Sequence, residues 1–395
     1  MELFVFWAFS HWAQSRSGRP PIGLTLRLDY VTHNIVNTLH CPDGREYGGE
    51  EEHMGELPKR ISVADITVRD GFQSEERMIP TEAKLFIIEK LIEAGFKDLE
   101  VTAFAPPKYQ PQFRDWEEVL KGLPDREDVV YSCVTTGRKA TERALEARKK
   151  GYRVDRILLG VLPASEKINR AVLGMSYEET WKWIEETIAE AHRLGVKVNV
   201  FLTGIFSPPD PDEKDADLMG RALAFIDRLF QMGVDDIEHP DHLGEANPEQ
   251  VASYFKRVLD RFPDPLRHVF HVHDARGMGL ACYYSALKTG IVRFETTLGG
   301  LGGWPATFVD GVPVRGVKGL AEVARRPGLV STEDFLVMLD AMNIDTGIDV
   351  DKVLELGRMV EKIVGRQLWS FCLGTGERPG SGRVPKIQHY KFEKR

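Results

Sequence analysis

The sequence predicts an α/β chain folded as a (β/α)8 TIM barrel with an N-terminal extension and a C-terminal helical tail. Three observations carry that expectation. From Ile61 onward, about eight short apolar runs alternate with segments whose apolar residues recur at helical spacing. Several helical segments stop at glycine, as at Gly95, Gly151, Gly195, Gly233 and Gly290, a residue that takes a left-handed terminal turn without strain. The first apolar run leads into Val68-Arg69-Asp70-Gly71-Phe72-Gln73, where a doubly wound nucleotide fold places a glycine-rich phosphate loop.

Residues 1–60 read as an irregular extension, punctuated by Pro20-Pro21, Cys41-Pro42-Asp43-Gly44 and Gly48-Gly49. Residues 61–345 read as the barrel. Its strands are expected at Ser62–Val68, Asp98–Phe104, Val129–Thr135, Arg156–Leu162, Lys197–Phe201, Asp236–His239, Val269–His273 and Phe294–Thr297, where apolar residues cluster in short runs. Between them the helical spacing predicts helices at Thr81–Ala94, Glu142–Lys150, Tyr177–Leu194, Ala216–Met232, Pro248–Phe262, Gly279–Thr289 and Thr332–Met342. Residues 346–395 read as a C-terminal helix over 349–365 and a Gly-rich tail, Gly374–Gly382.

Composition excludes some function classes. A formal charge of −8 lacks the basic stripe of a nucleic-acid footprint. No run of 18 apolar residues exists, so no membrane helix is expected. Met1 to Trp12 is apolar and aromatic but carries Glu2 and no basic start, which makes it a poor signal peptide. The cysteines Cys41, Cys133, Cys282 and Cys372 form no CxxC pair, which suits a reducing cytoplasm.

Barrel chemistry gathers at the C-terminal ends of strands. Arg69 and Asp70 are expected to end strand 1, Glu100 lies in strand 2, and Asp241 and His242 follow strand 6. In His271-Val272-His273-Asp274, strand alternation puts the two histidines on one face. An aspartate and two histidines converging at one rim suit a divalent cation, Mg2+ or Mn2+, and Arg69 beside them suits an anionic oxygen. No organic cofactor is expected.

These motifs together resemble the DRE-TIM metallolyases, and within them the 3-hydroxy-3-methylglutaryl-CoA lyase branch. The resemblance rests on Arg69-Asp70-Gly71-Phe72-Gln73-Ser74-Glu75, on Leu99-Glu100-Val101-Thr102-Ala103-Phe104 with Pro107-Lys108 and Pro111-Gln112, and on Ala164-Ser165-Glu166 with Ser176-x-Glu178-Glu179. Asp241, His271-x-His273-Asp274 and Gly300-Leu301-Gly302-Gly303 complete it. It implies that Asp70, His271 and His273 hold the metal and that Arg69 is the catalytic arginine. Glu100, Gln73 and Asp241 would orient water and substrate. It further implies cleavage of a 3-hydroxyacyl-CoA through an enolate, and a homo-oligomer. The alternatives are a related aldolase or Claisen-type synthase, or a non-catalytic barrel.

The chain departs from that pattern in two places. Trp304 stands where the lyases have a cysteine, and an indole N–H does not exchange a proton near neutrality. Trp304 is expected to shape the substrate pocket or to cap the barrel mouth as an apolar plug. Leu329 stands where the family has an asparagine ligand, so that Asp310 or water completes the metal shell or the metal binds more weakly. His242, placed where the lyases have threonine, is expected to add acid–base capacity at the rim, against a plain hydrogen-bonded histidine. Glu100 reads equally as an interior ion pair with Arg69. Lys108 reads as a substrate contact or as a solvated loop lysine.

Overall fold

The computed structural model describes residues 56–161, 165–207, 217–303, 305–306, 308–314 and 328–375. Eight parallel strands close in sequence order: β1 (Ser62–Asp65), β2 (Asp98–Ala103), β3 (Val130–Thr135), β4 (Arg156–Val161), β5 (Lys197–Leu202), β6 (Asp236–Asp241), β7 (His268–Val272) and β8 (Arg293–Thr296). The ring is sealed by β1 against β8, with Ser62 opposite Arg293 and Asp65 opposite Thr296.

Around it run α1 (Thr81–Ala94), α2 (Trp116–Gly122), α3 (Arg138–Lys149), α4 (Glu166–Leu173), α5 (Tyr177–Arg193), α6 (Leu218–Met232), α7 (Pro248–Arg261), α8 (Gly279–Thr289) and α9 (Thr332–Ala341). The ends of these helices are written in the sequence. At α5, Ser176 accepts from the Glu179 N–H while Glu179 accepts from the Ser176 N–H, a reciprocal cap. That accounts for the Ser-x-Glu-Glu motif as a helix start. Asn247 and Gln250 cap α7 in the same way, with Pro248 at its first position. Helix α7 then buries Val251, Tyr254, Phe255 and Val258 in the core, each large side chain contributing about 1.5–3 kcal/mol of burial.

The apolar strand faces pack outward under the helices, and one layer of the barrel interior is charged. Asp98 on β2, Arg156 on β4, Asp236 on β6 and Arg293 on β8 form a ring, with Arg156 2.7 Å from Asp98 and Arg293 2.7 Å from Asp236. These four strands alternate round the barrel, as a layer of its interior requires. Burial alone would raise Asp236, but Arg156 and Arg293 hold it below the ordinary carboxylate range.

Several boundaries differ from expectation. Strand β1 stops at Asp65, and Thr67–Gly71 coils into a single wide turn in which the Asp70 and Gly71 N–H groups both donate to the Ile66 carbonyl. Arg69 and Asp70 therefore ride on a helical turn after the strand. The short helices α2 and α4 were not expected. After β8 comes a small hairpin, β9 (Phe308–Val309) and β10 (Val312–Pro313). Beyond α9, the C-terminal helix α10 (Val350–Val364) lies on α1, where Lys352 Nζ donates to the Glu93 carbonyl, and a last turn α11 (Phe371–Thr375) follows. No described helix is long and apolar enough to cross a membrane.

Candidate active site

Two residues beyond the charged ring, toward the C-terminal ends of three of its strands, stand Glu100, Glu238 and Glu295, all buried. Arg69 reaches this layer from the wide turn. Its Nε donates to Glu100 and its Nη1 lies 2.9 Å from Asp70 Oδ2. Burial, opposed by Arg69, pushes Glu100 up to about 8 and Glu295 up to about 8; burial beside these two carboxylates pushes Glu238 up as well. Of the three, Arg69 bonds Glu100, while Arg156 and Arg293 of the charged ring also act on Glu295.

The two histidines of β7 meet above it. His271 Nε2 and His273 Nε2 are 3.0 Å apart. On its other side His271 Nδ1 lies 2.8 Å from Glu295 Oε2 and 3.3 Å from Glu238 Oε1. An ionised Glu295 would make Nδ1 the proton donor and leave the Nε2 lone pair of His271 toward His273. Burial, then repulsion from His273, holds His271 well below the ordinary imidazole range, so the ring is neutral and able to ligate.

Asp70 is buried, with Oδ2 taken by Arg69 and by Gln73 Nε2 at 2.8 Å, while Oδ1 has no hydrogen-bond partner. A buried carboxylate oxygen without a donor, next to the neutral His271 imidazole, is a donor set that fits a divalent cation. The three nitrogens that lie within 4.8 Å of one another, however, are those of His271, His273 and His242; Asp70 is not in that trio.

Alternation along β6 decides what its rim residues face. His239 packs outward on Tyr254 and Phe255 of α7 and bonds His268 Nδ1 at 3.0 Å, so it belongs to the helix-facing layer. Asp241 shares that side: Oδ2 accepts from the Ala246 N–H at 2.8 Å and holds the loop into α7. His242, on the opposite face, places its ring 5.5 Å from His271 and 5.6 Å from His273. Of the two rim residues expected to handle protons, the structure brings His242 to the histidine pair and turns Asp241 away.

Gln73 does more than hold Asp70. Its Nε2 also donates to the Gly303 carbonyl at 2.8 Å, and Ser74 Oγ donates to Gly302 O at 2.9 Å, tying the glycine loop to the arginine turn. A Cβ on Gly302 would lie 2.7 Å from Asp70 Oδ1, at a φ of +127°, so only glycine fits there. Gln112 of the second-strand motif is buried and clamps the segment before α1, accepting from the Ile79 N–H and donating to the Glu75 and Arg77 carbonyls. Lys108 is exposed, its Nζ 4.6 Å from the Tyr109 ring centre. Asp310 sits in the hairpin turn and accepts from the Met78 N–H at 3.1 Å. Leu329 is 2% exposed and pairs its backbone with His273, offering no side-chain ligand. Trp304 lies outside the described residues, as does Ala164.

Sequence reasoning did not find Glu238, Glu295 or Glu333. The first two were readable as alternation, since Asp236-x-Glu238 and Arg293-x-Glu295 place charge on one face. Glu333, at the start of α9, accepts from the Gly299 N–H at 2.7 Å and from Ser331 Oγ at 2.8 Å, holding the glycine loop from behind.

Residues 60–360 match the family model described as HMGL-like. The hydroxymethylglutaryl-CoA lyase of Bacillus subtilis (strain 168) is 30% identical over 311 residues, covering 79% of this chain and 95% of that one. The mitochondrial hydroxymethylglutaryl-CoA lyase of Bos taurus is 28% identical over 314 residues, covering 80% and 89%. The solved Bacillus subtilis HMG-CoA lyase has a TM-score of 0.70 at 30% identity, over 81% of this chain and 99% of that one. An HMG-CoA lyase from Acinetobacter baumannii, solved in complex with coenzyme A and 3-methylmalate, also has a TM-score of 0.70, at 27% identity over 83% and 98%.

Proposed function

The chain belongs to the HMGL-like family, and on that premise we propose that it is a divalent-metal-dependent carbon–carbon lyase cleaving a 3-hydroxyacyl-CoA of the hydroxymethylglutaryl-CoA type. The observation that carries this reading is Arg69, fixed between Glu100 and Asp70 at the rim where His271 and His273 meet.

Asp70, His271 and His273 would hold the ion. When bound, a divalent ion supplies Lewis acidity to the hydroxyl and carbonyl oxygens of such a substrate. Arg69 supplies the second charge. Its guanidinium is held on two sides, so it is aimed before substrate arrives, and it stabilises the oxyanion that develops on the thioester fragment as the C2–C3 bond breaks. The electron pair of that bond passes to C2, giving the enolate, while C3 becomes a carbonyl. Two proton transfers complete the balance, one from the C3 hydroxyl and one to C2. Gln73, bonded to both Asp70 and Gly303, ties the glycine loop to the residue that would hold the ion.

A CoA thioester is favoured over a free hydroxyacid because the relatives are hydroxymethylglutaryl-CoA lyases and one was solved with coenzyme A. The free thiols Cys133, Cys282 and Cys372 support a reducing, cytoplasmic setting. The homo-oligomer is carried over from the family resemblance. Purified protein should be assayed with Mg2+, Mn2+, Co2+ and Zn2+ against 3-hydroxyacyl-CoA thioesters and the matching free acids. Cleavage of thioesters alone supports the proposal. Turnover of free acids alone, or condensation without cleavage, replaces it with the aldolase or synthase alternative.

A further inference from the structure

The donor atoms of His242, His271 and His273, all within 4.8 Å of one another, are imidazole nitrogens without exception. We propose that these three residues form a three-histidine cation site that selects a borderline transition ion, Zn2+ or Co2+, over Mg2+. The proposal deepens the metal-dependent reading above and rests on it.

Geometry comes first. His271 Nε2 and His273 Nε2 stand 3.0 Å apart. Two nitrogens bound tetrahedrally at about 2.0–2.1 Å lie roughly 3.3 Å apart, so this pair needs little adjustment to share one ion. His242 enters from the neighbouring strand end, and the edge of Phe201, with ring centres 6.0 Å apart, backs its imidazole from β5. His242 from the end of β6 and His271 and His273 from β7 would hold the ion from two adjacent strands.

Chemistry then chooses the ion. Mg2+ takes oxygen donors in an octahedral shell and keeps several waters, whereas imidazole suits Zn2+, Co2+ and Ni2+. Leu329, buried against this rim, contributes no oxygen. The orphaned Asp70 Oδ1 is the carboxylate oxygen nearest in role to a fourth ligand. Glu295 lies 2.8 Å from His271 Nδ1, and when ionised it would strengthen electron donation from Nε2 and again favour the softer ion. As a ligand, His242 takes a different part from the acid–base role expected of it from sequence.

The test uses the full chain freed of metal. Co2+ titration followed by visible absorption should give an intense band of low-coordinate cobalt. Zn2+ should displace it near equimolar amounts, and Mg2+ should fail to do so at about 10²-fold excess. Pulsed EPR of the Cu2+-loaded wild type should count three imidazole nitrogens. His242→Ala and His242→Gln should weaken Co2+ binding at least 10-fold and change the band. Two coordinated imidazoles, or displacement by Mg2+, overturns the proposal. So does Co2+ affinity unchanged in both variants, and if their turnover also falls, His242 is an acid–base residue. None of these readouts requires catalysis, so absence of lyase activity with three imidazoles counted defeats the function and leaves the site standing.

Discussion

His271 Nδ1 stands 2.8 Å from the carboxylate of Glu295, a residue two positions beyond an arginine of the charged ring. The contact links the part of the barrel that carries its charge to the rim that carries its chemistry. Glu295→Ala leaves Glu238 as the remaining carboxylate on that nitrogen. Divalent-ion affinity should fall about 10-fold, and approach 100-fold in the double Glu238→Ala, Glu295→Ala variant. Calorimetric titration checks this, and equal affinity in all three proteins contradicts it.

Glu100 acts through Arg69. Glu100→Ala removes the carboxyl that accepts from the guanidinium Nε and leaves the histidines untouched. Turnover should drop about 10²-fold, the scale of a misplaced catalytic group, with cation affinity within about twofold of wild type. Loss of both together would make Glu100 part of the cation site.

The glycine loop offers a paired comparison. Gly302→Ala places a Cβ 2.7 Å from Asp70 Oδ1 at φ +127°, whereas Gly137→Ala, at φ +86°, meets nothing within 4 Å. Both should lose about 1–3 kcal/mol in urea unfolding from backbone strain. Only Gly302→Ala should also weaken cation binding, because it displaces Asp70. Equal binding in the two variants would detach the loop from the site.

Glu333 predicts a pH dependence. Burial raises its carboxyl from 4.5 to about 8, against the bonds from Gly299 and Ser331. Between those pH values the folded state holds a proton that the unfolded chain has released. Its contribution is therefore fully present below about 4.5, declines as pH rises through the window, and is lost above about 8. Glu333→Gln removes this slope. Urea unfolding at pH 5 and pH 8 should show a smaller loss of stability in the variant than in wild type, and parallel losses would refute the assignment.

Much of the fold was legible in the sequence. The expected helices at Thr81–Ala94 and Gly279–Thr289 match to the residue. Strand β4 starts at Arg156 as read, and β6 runs two residues past its expected end. Glycine stops and apolar periods are local signals, and a barrel repeats them. The end of β1 was misplaced because Val68 continues the apolar run even though the chain has already turned at Ile66. Helix α2 was missed because seven residues barely establish a period. At the site, His271 and His273 were found by alternation within one strand. Glu238 and Glu295 escaped because attention to apolar runs hides charge facing a barrel interior. Asp241 and His242 are neighbours in sequence, and only strand parity shows that they face opposite ways.

The account stands most directly on Arg69. Wild-type protein supplied with a divalent ion and 3-hydroxy-3-methylglutaryl-CoA should release acetyl-CoA and acetoacetate, and chelation should stop it. Arg69→Ala should still bind the ion yet cleave at least about 10²-fold more slowly, the scale of one lost oxyanion donor. Cleavage that persists unchanged in Arg69→Ala, or continues under chelator, would contradict the account.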